Sequence, residues 1–175
     1  MASPAYSILT QCVAQAKSQL DLAGVGSAAG IPDANVYGLN VPYSREQRQR
    51  LSFASRPALI FSVVRNAALP VEAGDNGRYV AYYTVLAQIL HSQHELRLNE
   101  ITESILQWEY RIHNYFHMGN LRQSADLENT WYITLSPVQQ VDLTDERLFH
   151  IWDDAVAVIP ITFKSTEFHN TEGRT

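Results

Sequence analysis

The chain has 175 residues, enough for one domain with a sizeable core, and 46% apolar against 18% charged residues marks it as globular rather than disordered. No apolar run approaches the ~20 residues that span a bilayer, and a single cysteine, Cys12, excludes an internal disulfide framework or a Cys-rich zinc site. A net charge of −5 argues against non-specific nucleic-acid binding.

The opening MASPAYSILTQ has neither a basic n-region nor an apolar h-region, so no secretory leader is expected and synthesis in the cytoplasm is. Residues 5–22 then predict a helix, because Ile8, Leu9, Cys12, Val13, Ala16 and Leu20 recur at helical spacing on one face. Gly24 is its expected stop. Cys12 lies within that stripe and reads as a small core residue rather than a nucleophile.

Residues 24–55 show little periodicity and read as an extended arm, with a short strand possible in NVYGLNV. Ser44 with Gln47 three residues on resembles a capping box opening a helical turn, which would carry Arg45, Arg48 and Arg50. Of the thirteen basic residues only Lys17 and Lys164 are lysine, and arginine is the cation enriched at protein interfaces. The charge is also uneven. Residues 1–65 carry six basic against three acidic groups (+3), and residues 66–175 carry seven against fifteen (−8). A basic front and an acidic rear suit head-to-tail pairing between copies.

PALIFSVVR, 57–65, is a dense β-branched and aromatic run and predicts a strand. A second strand is predicted from Arg78 to Leu90, long for a strand and apolar on both faces. The intervening GDNGR fits neither Gly-rich phosphate-loop pattern, and no helix follows it. Asp75-Asn76-Gly77 is hairpin-turn chemistry, since Asn and Gly take positive φ at low cost, so Gly74–Arg78 is read as a hairpin tip and not a ligand cradle.

Leu98, Ile101, Ile105, Trp108, Ile112 and Tyr115 form a narrow seam on a helix predicted from about 95 to 117. Glu95, Glu100 and Glu103 suit the dipole near its start. Beyond it, TWYITLSPVQQVDL alternates Trp131, Ile133 and Leu135 inward, and DDAVAVIPITFKSTEF predicts a last strand. Pro160 has no N–H, so that strand must be an edge or a bulge there. The tail from 169 to 175 reads as flexible. The expected fold is α+β in a single domain: an antiparallel or mixed β-sheet flanked by an N-terminal helix and a long amphipathic helix.

Chemistry is sparse. Glu109, His113 and His117 share one side of the second helix and could form a metal set, but no H-E-x-x-H pattern exists and a polar row beside a core seam is ordinary. Asp142, Asp145, Glu146, Asp153 and Asp154 could pair for acid–base work, or could be two solvated turns. No nucleophile elbow is present. No catalytic residue, metal or cofactor is assigned, and the expectation is a protein that is not an enzyme.

The order of these elements resembles a known family. A leading helix, a link with VYGL, the strand RPALIFSVV, the long strand GRYVAYYTVLAQIL, the helix NEITESILQWEYRIHNYF and two final strands ending IPITFKSTEF are similar to the tail terminator (tail completion) proteins of long-tailed bacteriophages. The resemblance spans roughly residues 5–168 and is one of pattern and length. It implies a structural virion protein of the tail and neck, assembled in the host cytoplasm as a homo-oligomeric ring, usually a hexamer. The ring stops the tail tube protein and meets a head-side connector or stopper protein, and DNA passes through its lumen. Six copies would carry six times −5, or −30, which keeps DNA from sticking. Within such a ring the expected subunit contacts are Arg45, Arg48, Arg50 and Arg56 against Asp153, Asp154 and the edge at Pro160. Gly74, Asp75, Asn76, Gly77 and Arg78 would dock on the tube or line the lumen. Two alternatives stay open: another phage neck or tail ring protein (a head-completion protein or tube subunit), and a small metal-binding enzyme.

Overall fold

The computed structural model describes residues 4–39, 56–64, 78–92, 98–117, 130–132 and 154–168. They form an α+β unit in the order α1 (Pro4–Gln19), a 3-10 turn (Asp33–Asn35), β1 (Val36–Leu39), β2 (Ala58–Val64), β3 (Arg78–Ser92), α2 (Leu98–His117), β4 (Thr130–Tyr132) and β5 (Asp154–Phe168). The five strands make one mixed sheet in the spatial order β1-β2-β3-β5-β4. β1 runs parallel to β2 and every other pairing is antiparallel.

Strand alternation sorts the sheet into two faces. Leu59, Phe61, Val85, Ala87, Ile89, Ala157, Ile159, Ile161 and Phe163 point to one of them and are buried in a single core with Ile8, Leu9, Cys12 and Ala16 of α1 and Trp108, Ile112 and Phe116 of α2. Both helices therefore cover the same face. Phe116 centres an aromatic cluster, edge-on to Phe61 at 5.9 Å, to Phe163 at 6.2 Å and to Tyr115 at 5.3 Å. The apolar character of β3 on both sides follows from its interior place between β2 and β5. On the face away from the helices, Ala58, Ile60 and Leu90 are buried, and polar groups there are paired across strands. Gln88 Nε2 donates to Ser62 Oγ at 3.3 Å, and the Thr84 and Thr162 hydroxyls lie 3.2 Å apart.

Two sequence expectations are corrected in detail, and the expectation for Pro160 agrees with the described pairings. α1 ends at Gln19, not at residue 22. After the last helical bond, Leu20 N–H to Ala16 O, the Asp21 carboxylate accepts from the Ala23 amide at 3.1 Å and turns the chain out of the helix. The stop is thus Asp21, and Gly24 serves another purpose. On α2, the fully buried row is Ile101, Ser104, Trp108, Ile112 and Phe116, with Ile105 and Tyr115 only partly buried. Steps of four advance about 40° beyond one turn, so the row winds slowly round the helix instead of keeping to a straight 3-4 seam. Finally, β5 is an interior strand, but β4 accompanies it only at Phe163–Ser165, and no described strand flanks it at Pro160 on the side away from β3. The proline, which has no N–H, sits where β5 has a described neighbour on one side only.

Candidate functional site

Two features stand out from the frame. The first is a strap. Residues 21–27 run along α2 in the opposite direction, without regular structure to Gly24 and then through a turn at 25–28, bonded at each turn of the helix. Arg111 donates to Asp21 O and pairs with the Asp21 carboxylate at 3.1 Å. Trp108 Nε1 donates to Ala23 O at 2.8 Å. The Val25 amide donates to Ser104 Oγ at 2.9 Å, and that hydroxyl donates in turn to Glu100 O at 2.7 Å. The Ser27 amide and hydroxyl both donate to Glu100 Oε2, at 3.0 and 2.7 Å. Every second residue of the strap meets every third or fourth of the helix, one rung to each helical turn. Buried Ser104, a polar residue facing the core side, is explained by this double role. The loop closes where Ile31 N–H reaches Leu22 O at 2.9 Å. Asn35 continues the anchoring, its Nδ2 donating to Pro57 O at 3.0 Å at the foot of β2. Residues 24–39, the first half of the expected arm, therefore lie against this chain's own helix and sheet.

The second feature is a ribbon. β3 and β5 pair over fifteen residues, from Arg78 opposite Phe168 to Ser92 opposite Asp154, a ladder about 48 Å long at 3.4 Å per residue. β2 accompanies β3 only from Thr84 to Leu90. Residues 78–83 with 163–168 thus run on about 20 Å past the end of β2, and short β4 is the one described strand that flanks them there. β2 and β3 are consecutive antiparallel neighbours, the topology of a hairpin, and the chain joining them is the segment expected to form its tip.

The expected contact residues distribute over this frame as follows. Arg78 opens β3 at the projecting end of the ribbon, whereas Asp154 opens β5 at the other end, so the two are a full ladder apart. Pro160 is half-buried at mid-ladder opposite Leu86, on the face away from the helices. Arg56 is exposed at the foot of β2. Arg45, Arg48, Arg50, Gly74, Asp75, Asn76, Gly77 and Asp153 lie outside the described residues. Of the possible metal set, Glu109 and His113 lie half-buried on one side of α2, and the side chain of His117 is outside the described residues. Among the described residues no three such groups converge. Cys12 is fully buried, and burial pushes its thiol far up and keeps it protonated, as a core residue.

Burial also raises the Glu109 carboxyl above its ordinary 4.5. A carboxyl raised in the folded state binds protons there more readily than in the unfolded chain, so its burial costs stability above the folded value and nothing below the unfolded one. Glu109→Gln is expected to stabilise the fold at pH 7 by less than about 0.5 kcal/mol, since the group keeps solvent contact. The gain should vanish as pH falls below 4.5. Urea titrations of both proteins at pH 7 and pH 4 test this, and equal midpoints at pH 7 would contradict it.

No described helix is long and apolar enough to cross a membrane. Compared with protein-family models and with curated proteins, the chain matches none.

Proposed function

We propose that this chain is a structural virion protein, one subunit of a six-membered ring that terminates the phage tail tube and joins it to the head-side connector. The observation that supports this best is the β3–β5 ribbon. Its ends run past the last described residue of β2. Beyond Phe163, which is still buried against Phe116, residues 78–82 with 164–168 continue the ladder for about 17 Å, a length that suits a finger reaching an adjoining ring. The order of elements along the chain is the one on which the resemblance was drawn. The basic front and acidic rear suit the heterologous, closing contacts from which rings are built.

The test has two parts. Light scattering at two protein concentrations should give a mass near 119 kDa, six times 19.8 kDa, or a whole multiple of that ring mass, alone or once tube ends are supplied. Deleting residues 73–77 should leave the ring mass unchanged and abolish tube capping, read as tails of unregulated length by electron microscopy. A chain that stays monomeric even with tubes present, or a deletion that still yields tails of normal length, would sink the proposal. Unlimited tubes of the purified protein alone would assign it instead as a tube subunit.

A further inference from the structure

α2 turns a second, smaller seam outward. Asn99, Glu103, Leu106, Tyr110 and His113 follow one another at steps of 4, 3, 4 and 3 on the side opposite the buried row. Leu106 is 51% and Tyr110 70% exposed, and with Tyr6 they are the exposed large hydrophobic residues among those described. Isolated apolar residues on a surface are ordinary, but these two are adjacent at i and i+4 and sit at the centre of an otherwise polar face. The seam is also self-complementary about its midpoint at residue 108. Reversing the helix exchanges Leu106 with Tyr110 and Glu103 with His113.

We propose that this face binds the same face of a second copy, the two α2 helices antiparallel. In that arrangement Leu106 of each copy meets Tyr110 of the other, and Glu103 of each, a carboxylate acceptor, lies beside the His113 imidazole of the other. Glu103 Oε1 already accepts from Gln107 Nε2 at 3.4 Å, which leaves the carboxylate ample acceptor capacity. A parallel arrangement is disfavoured, because it sets Glu103 against Glu103 and aligns the two helix dipoles. Tyrosine is among the residues that anchor interfaces, and the polar residues around the apolar pair form the rim. A two-fold contact of this kind closes on itself. It joins whatever carries it in pairs, two subunits or two rings, and stands apart from the head-to-tail contacts of the proposed ring.

Sedimentation equilibrium over a concentration series reads this without assuming a ring. Leu106→Asp with Tyr110→Asp should halve the limiting mass while leaving the circular dichroism spectrum unchanged, because both side chains lie outside the core. The single charge changes Glu103→Lys and His113→Glu should each weaken the association at least tenfold. Combined in one chain, they should restore it, since the introduced lysine of each copy then faces the introduced glutamate of the other. Equal limiting masses for the natural chain and the double aspartate variant would overturn the contact. Failure of the combined charge reversal to recover what its single changes lose would overturn the antiparallel register.

Discussion

Trp108→Ala is expected to cost about 3–5 kcal/mol, the range for deleting a buried large aromatic, and to be the most damaging single change on α2. Three roles meet in this side chain. It is fully buried in the core between α2 and the sheet. Its ring stacks on His91 of β3, with centroids 6.0 Å apart and planes 13° from parallel. Its indole N–H holds Ala23 O, the second rung of the strap. Alanine removes all three at once, leaving a cavity, a bared imidazole and a carbonyl without its donor. Trp108→Phe separates them. It keeps most of the apolar volume but cannot donate, so it should lose less, about 1–2 kcal/mol for the orphaned carbonyl and the smaller ring. Urea midpoints should therefore rank natural chain, Phe, Ala. If Phe proved as damaging as Ala, the strap bond and not the core would dominate; if Phe were neutral, the bond to Ala23 would contribute nothing.

The frame of the fold was legible because the chain writes it in short-range patterns. Periodicity locates both helices and four of the strands within a few residues, and Pro160 marks a place where β5 has a described neighbour on one side only. What periodicity cannot carry is anything set by contacts between distant segments. The strap is the clearest case. Residues 21–27 bond to positions 73 to 90 residues away, and their own composition, small residues and glycine, reads as an unstructured loop. One local signal was present: a serine, Ser104, inside the apolar side of an amphipathic helix, which demands a polar partner from elsewhere. Phe116 was missed for a related reason. A 3-4-3-4 template selects Tyr115 in its place, whereas it is Phe116 that meets Phe61 and Phe163 of the sheet. The parallel pairing of β1 with β2 was likewise invisible, since strand direction is decided by the crossover and not by the residues of the strands. For the candidate assembly site, the sequence located the residues but not their separation. Arg78 and Asp154 were expected in different contacts, and the fifteen-residue register sets them at opposite ends of one ribbon.

Gly24→Ala is expected to be nearly as harmful as the tryptophan change, although glycine contributes no side chain. A Cβ at this position would lie 1.9 Å from Ala28 O, 2.7 Å from Ala28 C and 2.8 Å from Ala29 C. All three are backbone atoms, so no rotamer change relieves the clash. The backbone they belong to is fixed on both sides. Ala28 N–H bonds Val25 O at 3.0 Å, Ile31 N–H bonds Leu22 O, and Leu22, Ala28 and Ile31 are buried. The methyl can be accommodated only by opening the loop, which pulls the Val25 and Ser27 amides away from Ser104 and Glu100. Overpacking strain of about 1–3 kcal/mol, with two bonds lost at about 1 kcal/mol each, puts the expected loss at about 3–5 kcal/mol. Gly26 supplies the control. Its φ of +61° favours glycine, but a Cβ there meets only the end of the Glu100 side chain, at 2.9 Å. That carboxylate can swing aside only by releasing the Ser27 amide and hydroxyl. Gly26→Ala should therefore cost about 1–2 kcal/mol for the left-handed backbone and up to about 1 kcal/mol for each of these exposed bonds, with the Ile31 closure left intact. Hydrogen exchange makes the distinction local. In Gly24→Ala the amides of Val25, Ser27 and Ile31 should all lose protection, while in Gly26→Ala Ile31 should keep it. A Gly24→Ala protein with native protection at these three amides would show that the strap does not pass as close to itself as the 1.9 Å approach requires.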